Sequence, residues 1–218
     1  MSLSMLDKYA QAFLQTLTMV GISAAIAIIA GLTLAVVLTV TAPGNLYPKP
    51  RLNKALSVTV NTFRAIPFII LLVAMLPFTR MLVGTTLGTW AAIVPLSAIL
   101  VPFFARIAQV SLNDVDHGLV EAARAMGCRR WHIVRHVLLP EALPGIIGGM
   151  TVSVIAMINA SAMAGAVGAG GLGDLAIRYG YERYETRVMF EVIVILIALV
   201  SIVQFTGEWL SRRADHKR

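Results

Sequence analysis

The chain carries one cysteine, Cys128, in 218 residues, so no disulfide framework can hold it together. Charge is scarce as well: Asp, Glu, Lys and Arg make up 13 % of the sequence, where an average soluble domain has roughly a quarter. That is too little polar surface to cover a water-soluble globule. Hydrophobic residues reach 58 % and the mean hydropathy is +0.81, which also excludes disorder. No G-x-x-x-x-G-K-[ST] occurs, so the chain cannot hydrolyse ATP by the P-loop mechanism. No nucleophile–base set and no paired carboxylates within apolar runs are found, so no catalytic residues are expected. His132 and His136 have metal-ligand spacing but no third ligand nearby, so no metal site is expected either. What remains is an integral membrane protein, and the net charge of +7 is read by where it sits.

Long charge-free runs are abundant: Tyr9 to Pro48 is 40 residues, Met81 to Ala105 is 25 and Ala142 to Gly173 is 32. Ala55 to Thr79 is interrupted only by Arg64, and Val192 to Phe205 is strongly apolar. A bilayer crossing takes about 20 mostly apolar residues. Five spans are expected, over 13–40, 56–79, 84–105, 143–169 and 188–207, with an outer segment 1–12, an inner loop 106–141 and a basic tail 208–218. The first run is too long for a signal-peptide core, so it is expected to be retained. With the N-terminus outside, the inner segments hold twelve Lys and Arg residues against five outside. The positive-inside rule therefore favours N-out and C-in.

The inner loop is too polar to span and too patterned to be a linker. Leu119 to Met126 is helix-prone, with Asp116 or Gly118 as cap and Gly127 as stop. Trp131 to Leu139 is amphipathic: Trp131, Val134 and Leu138 on one face; Arg129, His132, Arg135 and His136 on the other. Pro140 and Pro144 are expected to end it. The run "EAARAMGCRRWHIVRHVLLP" resembles the EAA motif of permease subunits of bacterial ATP-driven (ABC) importers. Glu121, Ala122, Ala123, Gly127, Leu139 and Pro140 match that pattern, and Val137 stands in place of its Ile. The resemblance implies an all-α membrane protein of the type I importer fold. Its coupling helix, Glu121 to Met126, would seat in a groove on a cytoplasmic ATPase. The chemistry suits that role: alanines give a narrow helix face, Glu121 a charged anchor, and Gly127 a sharp exit. Without the spacing, the same loop would read as an amphipathic helix on the membrane surface.

The likeness extends further. "NTFRAIPFIILLVAMLPFTR" (Asn61 to Arg80), "GTWAAIVPLSA" (Gly88 to Ala98) and "SAMAGAVGAGGLGDLAIRYGY" (Ser161 to Tyr181) are similar to the permease subunits of the methionine importer family. That resemblance implies a homodimer in the bacterial inner membrane and two copies of an ATPase that bind ATP and Mg. It also implies an extracytoplasmic binding protein that delivers methionine. A permease for another amino acid or small metabolite is the alternative. An ion-coupled carrier is a more distant one, since it calls for charged partners deep in the spans and internal repeats.

Gly168, Gly170 and Gly173 spell a G-x-G-x-x-G, but the segment before them is a membrane run and not a short buried strand. Packing is the useful reading, because 12 of the 18 residues from Ala156 to Gly173 are Ala, Gly or Ser. Small residues let helices approach closely in lipid. Among polar residues within spans, Arg64 reads as snorkelling to the inner interface or standing at the inner mouth of the pathway. Glu191 reads as an interfacial ion pair with Arg187. Asn159 and Met163 are the candidates for residues near the pathway itself.

Overall fold

The structure, a computed structural model, describes residues 3–215. Lys217 and Arg218, counted above in the basic tail, lie outside the described residues. No strand occurs among those described, as the patterning required.

Helix α1 (Leu3–Val40) holds no proline, and the hydroxyls of Thr18 and Thr33 donate to carbonyls one turn back. In lipid such groups have no water to turn to. Its Gly31 lies against α5 (Thr89–Asn113): a Cβ there would stand 3.0 Å from both the Phe104 ring and the Val101 carbonyl. Close approach of α1 and α5 makes the largest helix–helix interface in the chain.

Between them the single rod expected over 56–79 does not form. α2 (Pro50–Ala65) stops at Ile66, which is extended at φ −79° and ψ 124°. Pro67 forces this, because a residue before proline is pushed out of the helical region. α3 (Phe68–Ala74) leaves at 102° to α2. α4 (Leu76–Val83) follows and ends at Gly84, left-handed at φ +82°. The 84–88 stretch, expected to begin the third span, is a turn closed by Gly88 at φ +90°.

The inner loop holds α6 (His117–Ala125) and α7 (Arg130–Ile133), then a π-helical stretch, Val134–Leu138, running into α8 (Leu139–Gly165). Pro140 and Pro144 were expected to end the amphipathic helix, yet the helix is continuous from Arg130 to Gly165. Pro140 falls in the first turn of α8, and the widened π turn just before it lets the Leu139 N–H donate five residues back, to the Val134 carbonyl. The amphipathic face is also shifted. Ile133, Val134 and Leu138 are buried while Trp131 is exposed, so Ile133 takes the place expected of Trp131.

A glycine-rich break leads to α9 (Gly171–Leu175), a second π-helical stretch (Ala176–Tyr181) and α10 (Thr186–Ala214). Four helices among the described residues are long and apolar enough to cross a membrane: α1, α5, the Arg130–Gly165 rod and α10. The bent α2–α3 pair makes a fifth if it crosses as one.

Three clusters form the core. One, beneath the inner loop, includes Leu46, Phe104, Leu112, Val120, Ala123, Ile133 and Leu138. A middle one joins Met19, Leu72, Leu96, Met157 and Ile158. A third joins Tyr9, Leu172, Val188 and Val192, at the end away from the 106–141 loop. Phe190, Val194, Ile197 and Phe205 on α10 are exposed, an apolar surface that suits lipid.

Candidate functional site

The EAA residues divide into a presented portion and an anchored portion. α6 is opened by Asp116, whose side chain accepts from the Gly118 N–H at 2.8 Å. It is closed by Gly127 at φ +77°. Cys128 N–H donates to the Ala123 carbonyl (3.1 Å) and Gly127 N–H to the Arg124 carbonyl (2.9 Å), a Schellman closure that needs a left-handed residue at Gly127. Both helix ends are therefore fixed by the sequence itself. The two alanines do different work. Ala123 is buried in the inner cluster with Val120, while Ala122 and Glu121 face outward. Met126 and Leu119 are exposed beside them, at 76 % and 44 %. The result is a short helix with an apolar, acid-marked outer face and a small inner face locked to the membrane body.

Val137 and Leu139, at the far end of the motif, pack half-buried against that same inner cluster, and Pro140 is exposed next to them. Val137 and Leu139 thereby hold the loop to the spans. A third support was not foreseen. The connection 41–49 after α1 folds under α6: Leu46 is buried in the inner cluster, and the Arg130 guanidinium stacks over the Tyr47 ring at 5.2 Å. An apolar Leu-Tyr pair inside an otherwise polar turn was the signal available. Pro43, Gly44 and Asn45 of this turn line a cleft with His117, Glu121 and Arg124 of α6. His132 and His136 stack at 4.0 Å on the exposed face of the α7 end. No three His, Cys, Asp or Glu side chains gather as a metal set among the described residues.

Asp116→Ala should fray the first turn of α6 at a cost of about 1 kcal/mol. Amides in that first turn are then expected to exchange several-fold faster with the amount of inserted chain unchanged, checked by hydrogen exchange against a membrane-fraction blot.

The candidate pathway residues are not gathered into one site. Arg64 is exposed in the last turn of α2, just before the bend at Pro67, where a cation suits the helix C-terminus. Asn159 and Met163 share an exposed stripe of α8 with Val152, at helical spacing. Among the described residues neither Arg64 nor Asn159 has a hydrogen-bonding or ionic partner. At the opposite end of the molecule from α6, Arg187 meets Glu191 at 2.8 Å as expected. Tyr9 adds a bond that sequence spacing hid, its hydroxyl donating to the same carboxylate at 2.6 Å. Nearby, the Lys8 ammonium donates to Tyr179 Oη at 2.9 Å and holds that phenol below its usual pKa. The G-x-G-x-x-G serves packing: a Cβ on Gly173 would run into the Ala162 carbonyl.

Residues 27–216 match the family described as the binding-protein-dependent transport system inner membrane component. The chain belongs to that family. Inner membrane components of this kind that resemble it include the probable D-methionine transport system permease protein MetI of Vibrio cholerae. The two are 48 % identical over 203 residues, 93 % of this chain and 90 % of the relative. The methionine import system permease protein MetP of Bacillus subtilis is 41 % identical over 180 residues, 83 % and 81 % of the two chains. A solved inward-facing MetNI methionine ABC transporter superposes with a TM-score of 0.96 at 45 % identity, covering 99 % of this chain and 100 % of that one. The family places the chain in the bacterial inner membrane, where its apolar helices belong.

Proposed function

We propose that the chain is the permease subunit of an ATP-driven methionine importer. The observation that carries this is α6: a capped helix whose buried Ala123 locks it to the spans while Glu121, Ala122 and Met126 stand free for a partner. Relatives named as methionine permeases, and the MetNI transporter at 45 % identity, support the substrate. ATP and Mg are bound and ATP is hydrolysed in a cytoplasmic ATPase, one copy seated on each loop of a homodimer. A binding protein docks on the outer face, where Tyr179, Tyr181, Tyr184 and Arg183 offer aromatic and cationic contacts. The domain spans 13–207, its coupling loop 106–141, and the tail 208–218 stays inside.

Asn159 and Met163 line the pathway in this reading. An amide on an exposed stripe of a membrane helix, with no partner among the described residues, calls for a second copy or a watered channel beside it. Arg64 stands at the inner mouth, next to the bend that Pro67 imposes. ATP binding closes the ATPase dimer, and the loops carry that motion into α8.

Two measurements test the reading. Radiolabelled methionine uptake, with the ATPase and the binding protein co-expressed, should depend on this chain and be competed by unlabelled methionine. Competition by a different amino acid alone would replace the substrate. Tags on the two ends should place the C-terminus inside and the N-terminus outside. The reverse result would put α6 beyond reach of any ATPase.

A further inference from the structure

The break between α8 and α9 is the most permissive backbone in the molecule, with Gly168, Gly170 and Gly171 all left-handed at φ +89°, +82° and +81°. Such a segment does not hold itself, so its position is set by what bonds to it. Two of those bonds come from α1, more than a hundred and fifty residues earlier. Gln15 Oε1 accepts from the Gly171 N–H at 2.8 Å, and Thr16 Oγ1 accepts from the Leu172 N–H at 2.9 Å. Thr16 is 2 % exposed and Leu172 fully buried, so the Leu172 amide has no ready water as an alternative. The fit is close. A Cβ on Gly170 would stand 2.7 Å from Gln15 Oε1, and one on Gly171 2.7 Å from Thr16 Oγ1. On the other side the Gly88 N–H, at the start of α5, donates to the Gly168 carbonyl at 2.9 Å. Asn159 and Met163 lie in the last two turns of α8, directly before this break.

We propose that Gln15 and Thr16 are positioning residues that latch the glycine break, and so hold the outer end of α8 closed while the importer rests. The inference rests on the importer reading above. α1 carries none of the EAA loop, so the latch acts on the gate from the side opposite to the ATPase. Removing the bonds shifts the resting equilibrium towards the outward-open arrangement. In this reading that arrangement goes with a closed ATPase dimer, and a shift at one site must appear at the other. ATP hydrolysis without the binding protein therefore rises, and methionine moved per ATP falls.

The test uses the complete importer in proteoliposomes with Gln15→Leu and Thr16→Val. Loss of one or both bonds is expected to raise unstimulated hydrolysis and lower uptake per ATP by about five- to tenfold. Gln15→Glu and Thr16→Ser keep an acceptor at each position and should stay near wild type. An unchanged ratio of stimulated to unstimulated hydrolysis in Gln15→Leu and Thr16→Val overturns the latch. So does equal damage in the acceptor-keeping pair. Hydrogen exchange on the purified complex gives a readout that needs no transport: the Gly171 and Leu172 amides should exchange faster in the Leu and Val variants, with α5 unaltered. Unchanged exchange there also overturns it. Wild-type vesicles that hydrolyse ATP without taking up methionine count against the substrate reading alone, since the hydrolysis ratio and the exchange still decide the latch.

Discussion

Gly127→Asp is expected to cut uptake to background while the chain still inserts and folds. The backbone at Gly127 is left-handed at φ +77°, and a Cβ built there meets nothing within 4 Å of its own chain. Aspartate tolerates that conformation better than most residues, so the intrachain cost is about 1 kcal/mol. What changes is the outer surface. A carboxylate now projects from the exposed turn next to Met126, on the surface proposed to seat an ATPase. Added bulk and a newly desolvated carboxylate at a seated interface remove binding and leave the fold. The measurement is co-purification of the ATPase with the tagged chain, alongside uptake. A variant that keeps both would sink the coupling assignment. Gly127→Val is the informative companion, since a β-branched side chain at positive φ strains the Schellman closure itself. It should lower stability as well as uptake.

The second large effect concerns folding. Gly165 and Gly173 face each other across the α8–α9 contact: a Cβ on Gly165 would collide with the Gly173 and Asp174 backbone, and one on Gly173 with Ala162. Backbone cannot move aside as a flexible side chain can. Gly165→Val or Gly173→Val is expected to destabilise the chain by about 3 kcal/mol or more. Folded protein recovered in detergent should drop several-fold and the melting temperature should fall. Gly21→Ala is the control, because its Cβ meets nothing within 4 Å and alanine favours the helix. Wild-type recovery of both valine variants would mean that this contact is looser than the geometry says.

Much of this architecture was legible because apolar runs and turn residues act locally. The charge-free stretches marked α1, α5, α8 and α10. Asp116 and Gly127 marked the ends of α6 to within two residues, since capping bonds reach no farther than a turn. Prolines were legible as breaks but not in strength. Pro67 turned the chain by 102°, whereas Pro140 was absorbed in a π turn, and the difference lies in whether the neighbouring backbone could widen. Trp131 was placed on the wrong face, because a single turn of helix near a junction fixes its phase by packing and not by pattern. Nothing in the spacing of residues could pair Tyr9 with Glu191, or Gln15 with Gly171, since those contacts exist only once α1 has folded beside α9 and α10. Within the EAA site the residue types were readable, but their division of labour was not. Ala122 and Ala123 are identical in sequence terms, and only burial separates the one that stands exposed from the one that faces the core.

The unbroken helix from Arg130 to Gly165 joins the 106–141 loop and the glycine break into one lever arm. From Val134 to Met163 it runs about 40 Å at 1.5 Å per residue. A tilt of about 10° at the Val134 end therefore swings the Met163 end by roughly 7 Å, enough to separate a pair of touching side chains. The π turn beside Pro140 sits at the fulcrum of that arm. Its stiffness decides how much of a displacement of a few ångströms at α7 arrives at Asn159.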